Sequence, residues 1–139
     1  MKRLALLLSM LGVATSVHPT AAYGQAAPRI GTFNPHSEGC SDVYWLARGG
    51  SDERVVLDAM KRRMRINGQM VALQDVSDDY NERTRRTVSV YAVPSLGARI
   101  VLRAQSRSTG EESHTSTGTL AVTIRGRTTT VRVRGEGGC

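Results

Sequence analysis

Residues 64–73, MRINGQMVAL, constrain the fold more tightly than any other stretch of the chain. Asn67-Gly68 stands between two runs in which apolar and polar residues alternate. Asn-Gly is the favoured pair for a two-residue hairpin turn, because both central residues need positive φ. That turn sets Ile66 opposite Gln69, Met64 opposite Val71 and Arg62 opposite Leu73. Successive side chains of a strand point to opposite faces, so most of the apolar residues share one face and Arg63 and Arg65 take the other. Such a hairpin buries nothing by itself and needs further strands to pack against.

The rest of the chain supplies them. Residues 86–93 and 98–106 flank Pro-Ser-Leu-Gly, and residues 119–124 and 128–134 flank Arg-Gly-Arg. A connection of odd length at Pro-Ser-Leu-Gly puts Val88, Val90 and Ala92 on the face of Ile100 and Leu102, whereas four residues would set them apart; the odd length is the expectation. An Arg125-Gly126 turn aligns Leu120, Val122 and Ile124 with Val131 and Val133. Upstream, 43–48 and 54–60 read as strands around Gly-Gly-Ser-Asp, although apolar residues at 55, 56, 59 and 60 also fit a helical turn. Short alternating runs, turn signals and no long helix predict an all-β domain: a single small antiparallel β-barrel or sandwich of about eight strands. Its core would draw on Met64, Ile66, Val71, Leu73, Val88, Val90, Ile100, Leu102, Leu120, Val122, Ile124, Val131 and Val133. Residues 74–83 and 106–119 are polar and read as loops.

The beginning of the chain indicates export. Lys2 and Arg3 precede an apolar, charge-free run over 4–17, then Pro19 and a small-residue stretch, the pattern of a secretory signal peptide cleaved after Ala26. A membrane span needs about 20 apolar residues, and His18 and Pro19 interrupt this run too early. The expected division is a signal peptide at 1–26, a flexible lead-in at 27–39 and a β-domain at 40–139. In an exported chain, two cysteines most simply form one bond, so Cys40 and Cys139 are expected to clasp the two ends of the fold. Closing so long a loop contributes about 2–4 kcal/mol in typical measurements. Gly135, Gly137 and Gly138 would let the tail bend to the bond. Metal binding and an interchain bond are the competing fates of the two thiols. His36, Cys40, His114 and Cys139 lack the short spacing of a metal site, and no metal or other cofactor is expected.

Several chemistries find no support. Asp75, Asp78, Asp79 and Glu82 lack the order of a calcium loop and read as a solvated segment beside Arg83, Arg85 and Arg86. His36 and His114 lie in polar stretches with no hydrolase signature around them, and an enzyme is not expected. The net charge is +7, falling to +5 without Lys2 and Arg3, which admits an anionic partner. Nucleic acid is not expected, because no aromatic residues are interleaved with the bases. Outward-pointing Arg63 and Arg65, Arg99 and Arg103, and Arg132 and Arg134 would form a cationic face if neighbouring strands align them. Tyr44 and Trp45 fall on opposite faces of one strand, so one faces the core and the other is a candidate binding anchor.

CSDVYWLAR, MRINGQMVAL and the terminal Gly-Gly-Cys together resemble a group of small exported bacterial proteins of unassigned activity. More remotely, the layout is similar to the periplasmic inhibitors of c-type lysozyme, small eight-stranded barrels that insert a loop into the lysozyme cleft. Gly68, Val71, Leu73, Ser77 and Tyr80 echo that family's hairpin and the Ser and Tyr after it. The Ser-to-Tyr spacing is one residue short, and 95–102 holds no lysine for the family's Lys-Gly motif. The resemblance leads to the expectation of a monomeric, non-enzymatic binding or inhibitor module, periplasmic or secreted, acting on a protein hydrolase through Ser77 and Tyr80, with 77–82 or 107–118 as a protruding loop and with Trp45 as a further anchor if that side chain faces solvent. The alternative is a structural domain docking on anionic cell-wall or outer-membrane groups through Arg63, Arg65, Arg132 and Arg134.

Overall fold

The computed structural model of the chain describes residues 26–35, 38–48 and 54–139. Residues 1–25 (all but the last residue of the expected signal peptide), His36 and the expected turn at 49–52 lie outside them. Among the described residues ten strands form one antiparallel sheet: β1 (Ile30–Gly31), β2 (Ser41–Leu46), β3 (Leu57–Asp58), β4 (Arg63–Ile66), β5 (Gln69–Ala72), β6 (Gln74–Asn81), β7 (Arg86–Val93), β8 (Ala98–Ser108), β9 (Ser113–Ile124) and β10 (Arg127–Gly138). Across the sheet they run β1-β4-β3-β2-β10-β9-β8-β7-β6. β1 and β3 share one side of β4, and β5 takes its other side. The two outermost strands are therefore β5 and β6, and the chain passes between them through Leu73 alone. Leu73 is buried, and its N–H donates to the Arg62 carbonyl at 2.8 Å. The sheet curls until its edges are neighbours in sequence, yet no ladder joins them and the barrel stays open.

Both two-residue turns form as the sequence requires. Asn67 and Gly68 have φ of 51° and 81°, and Ile66 pairs with Gln69 and Met64 with Val71. Arg125 and Gly126 have φ of 49° and 74°, and Leu120 pairs with Val131. The concave side of the sheet holds the main core, built from Tyr44, Leu57, Met64, Ile66, Leu73, Tyr91, Ile100, Leu102, Leu120, Val122 and Val133 among others, with Val71, Ile124 and Val131 packed against it. A small second cluster on the convex side joins Phe33, Val43 and Val55, with Trp45 against it. Cys40 and Cys139 are bonded at 2.06 Å. The bond stands one rung beyond the Ser41–Gly138 pair, so it staples the end of the β2–β10 ladder.

The structure corrects five expectations. The connection at 94–97 has four residues: Val93 pairs with Ala98, Pro94 opens a 3-10 turn, and Gly97 closes it at φ 58°. This register puts Ser89, Tyr91 and Val93 on the concave face with Leu102, Ile100 and Ala98. Val88 and Val90 consequently lie on the convex face, outside the main core. Residues 74–81 are a strand, paired along β7 with a bulge at Val76. Residues 106–108 and 113–119 are also strand, continuing the β8–β9 ladder to a turn at 109–112. Both segments lack an apolar rhythm: 74–81 is exposed throughout, and in 113–119 the one buried side chain, Ser116, is polar. The stretch expected as a flexible lead-in is partly anchored: β1 pairs with β4, and buried Phe33 bridges Val55 in both directions at 2.8–2.9 Å. Finally, Gly135, Gly137 and Gly138 belong to β10 and do not form a loose tail.

Candidate functional site

The concave face changes from apolar to polar along β2, β7, β8 and β9, at a level staggered between strands: Ser89 lies across from Leu102, and Tyr44 lies across Gly135 from Ser116. On β8, Ala98, Ile100, Leu102 and Ala104 give way to Ser106 and Ser108. On β9, Leu120 and Val122 give way, in the opposite chain direction, to Ser116 and His114. On β7 the change runs from Val93 and Tyr91 to Ser89 and Thr87, and on β2 from Leu46 and Tyr44 to Asp42. Period-two geometry keeps each series on one side, and the antiparallel registers bring the polar members together. The apolar end is filled by the core. The polar end is a cleft of about 790 Å³, lined also by Asp75, Asp78, Tyr80, Arg62 and Glu112.

The glycines of β10 shape its floor. Gly135 lies across from Ser116 and Tyr44, and a Cβ there would come within 2.6 Å of the Tyr44 ring. Gly137 lies across from His114 and Asp42, and a Cβ there would overlap the His114 ring. Only hydrogen at these positions lets the two rings lie against the sheet. The glycines that close the chain therefore serve as seats for cleft side chains.

Electrostatics follow from this partial burial. Burial raises the pKa of Asp42 above its ordinary 3.8, with the His114 charge opposing the shift. His114 Nε2 is 3.8 Å from Asp42 Oδ1, beyond hydrogen-bond reach, and that oxygen has no hydrogen-bond partner among the described residues. Burial, followed by the Asp42 charge, raises the Tyr44 phenol far above its ordinary value of 10.0. Tyr91 is raised as well, chiefly by burial, with the Ser89 hydroxyl opposing. Ser89 Oγ donates to Asp78 Oδ1 at 2.7 Å, Ser106 and Ser116 share a hydrogen bond of 3.0 Å, and Arg62 holds Asp75 at 2.7 Å. The result is a wall of protonated phenols, hydroxyls and carboxylates able to hydrogen-bond a polar ligand and to favour a positive charge. Among the described residues no group of acids, histidines and cysteines is arranged to hold a metal ion.

The residues singled out from sequence fall in different places. Arg63, Arg65, Arg132 and Arg134 share the convex face, but β3, β2 and the Phe33 cluster stand between the two pairs. Arg63 lies 5.7 Å from the Phe33 ring centroid and 3.5 Å from Asp58, which is 1% exposed. Arg134 pairs with Trp45 across the ladder and lies 5.9 Å from its ring. Trp45 is half-buried there, while Tyr44 faces the interior. Ser77 and Tyr80 lie on β6 and line the cleft. The segments 77–82 and 107–118 are mainly strand, so neither is a protruding loop.

Sequence reasoning passed over Asp42, Tyr44, Ser89, Tyr91, Ser106, His114 and Ser116 as a group. One signal was available: in 98–124 the period-two series on the Ile100 face continues without a break into hydroxyls. No protein-family model, curated protein or solved structure matches the chain.

Proposed function

We propose that the protein is an exported, non-enzymatic binding module of the bacterial envelope, whose cleft receives part of a protein partner. One observation carries this reading. Three of the four exposed large hydrophobics among the described residues, Met60, Val76 and Tyr80, line the cleft. A polar pocket bordered by exposed apolar side chains suits a protein surface, where apolar anchors and hydrogen bonds act together. The Cys40–Cys139 bond is compatible with an oxidising compartment, and no helix among the described residues is long and apolar enough to cross a membrane. The likeness to lysozyme inhibitors supplies a class of partner, a protein hydrolase, but Ser77 and Tyr80 stand on a strand beside this protein's own cleft and not on an inserting loop.

The convex arginines support a second reading, docking on anionic envelope groups, because stacking on Phe33 and Trp45 holds two guanidinium groups outward in fixed positions. Capture of partners from envelope extract at low and high salt separates the two. Thr87→Trp fills the cleft from its rim, and the pair Arg132→Gln and Arg134→Gln discharges the convex face. The cleft reading expects salt-resistant capture that Thr87→Trp abolishes and the arginine pair leaves intact. The opposite pattern, with steep loss of capture in salt, assigns binding to the convex face. Arg63 is left unchanged because it pairs with the buried Asp58 carboxylate.

A further inference from the structure

β6 is the longest strand at an end of the sheet, and every residue in it is exposed. It pairs with β7 on one side and with nothing on the other among the described residues. An open strand edge presents a row of unpaired N–H and C=O groups and is a template for another strand. Proteins that guard such an edge use charges and bulges. β6 has both, yet it also carries Val76 and Tyr80, each 56% exposed, which protection does not require. Its charge is of one sign: Asp75, Asp78 and Asp79, with no base in the strand. Asp75 is neutralised by Arg62, and Asp78 accepts a hydrogen bond from Ser89; Asp79 makes no ion pair among the described residues.

We propose that the free edge of β6 accepts an extended, basic segment of the protein partner as an added strand. The proposal rests on the cleft reading above and specifies the element that is recognised. Main-chain hydrogen bonds along β6 would supply the pairing, alternate side chains of the segment would point into the cleft and to the convex side, and lysine or arginine would meet the aspartates on both sides. A second copy of this chain is the poorer occupant. Antiparallel pairing of two β6 edges would bring the aspartates of one copy against those of the other, without a base to separate them. A basic strand reverses the sign of each of those contacts.

The probe is a terminally blocked peptide, Thr-Arg-Val-Arg-Val-Arg-Thr, titrated into the disulfide-intact protein and followed by amide NMR and hydrogen exchange. Binding with new protection confined to the β6 amides is expected. Two versions N-methylated at alternate residues, one in each phase, discriminate strand addition from simple charge attraction. One phase should bind roughly tenfold or more weaker and the other about as well as the parent, because only alternate N–H groups face the edge. Glutamate in place of arginine should abolish binding, and Asp79→Lys, a change at an exposed side chain, should weaken it roughly fivefold. Absence of binding up to millimolar peptide overturns the proposal. Equal binding of both methylated versions, with shifts confined to Tyr44, Tyr91 and His114, also overturns it while leaving the cleft reading intact. Sedimentation showing a dimer that protects the β6 amides and excludes the peptide would make a second copy the occupant.

Discussion

The two ends of the concave face share the same strands and the same ladders, and differ only in the side chains set on them. At one end Ile100, Leu102, Leu120, Val122, Met64 and Leu73 pack into the core. At the other, Ser106, Ser108, His114, Ser89 and Asp42 line an open cleft. Backbone hydrogen bonds in water contribute modestly to net stability, whereas buried apolar area contributes heavily. The apolar end therefore stabilises the fold. The polar end is held as a continuation of its strands, by the disulfide and by rings seated on glycine, and it stays open to a ligand. A small domain can thus support a binding cleft at low cost if stabilisation and recognition occupy different lengths of the same strands.

The largest test contrasts the two ends directly. Leu120→Ala, at a fully buried position, should cost about 2–5 kcal/mol in denaturant unfolding. Ser108→Ala, on the same sheet face at an exposed position of the cleft wall, should cost no more than about 1 kcal/mol. Comparable losses at the two sites would mean that the polar end is as much a core as the apolar one.

Next in size is the clasp. Changing both Cys40 and Cys139 to Ser should cost about 2–4 kcal/mol. Because the bond staples the polar end of the β2–β10 ladder, hydrogen exchange should accelerate at 41–43 and 136–138 well before it does at 120–124. Uniform acceleration across the sheet would place the effect wholly in the unfolded chain.

A smaller loss is expected at the glycine seats. Gly137→Ala should cost roughly 1–3 kcal/mol by displacing the His114 ring from β10. Its signature is a changed environment of His114 in NMR, with core methyl resonances of Leu120 and Val122 unmoved. An unchanged His114 signal would remove the glycine from its role in the cleft.

The smallest effect is one of pH. In the folded protein the Asp42 carboxyl holds its proton more tightly than in the unfolded chain, where 3.8 is the ordinary value. Folding therefore takes up a proton above that value, and stability falls as pH rises from 3.8 through the raised folded pKa. Asp42→Asn removes this penalty. The variant should melt at a higher temperature than the wild type at neutral pH, and the gain should vanish as pH falls below the unfolded value of 3.8. A gain independent of pH would point to packing as its cause.

The cleft was legible only in part. The hairpin at Asn67-Gly68, the turn at Arg125-Gly126 and the partnership of Cys40 and Cys139 were open to local reasoning, since each depends on a dipeptide or on there being two cysteines to pair. The acidic segment at 74–81 was hidden, because an edge strand exposed on both sides carries no apolar rhythm to read. The four-residue connection at 94–97 was misread for a related reason. Val88, Val90, Tyr91 and Val93 offer apolar residues on both faces, and nothing local says that Tyr91 belongs inside and Val88 outside.

Alternation and turn chemistry are properties of neighbouring residues, so the sequence by itself determined an antiparallel all-β domain, the outward direction of its arginines and the bond that joins its ends. Which strands become neighbours is settled by distant parts of the chain packing at once. Only the tertiary structure decided that β10 runs between β2 and β9, and hence that Asp42 meets His114 across Gly137. The curl of the sheet is likewise a collective outcome, since β5 and β6 become its two edges only when the seven strands of the ladder between them have taken their places. A cleft built from one or two side chains per strand has no local signature, because its members lie far apart in sequence and meet only through register.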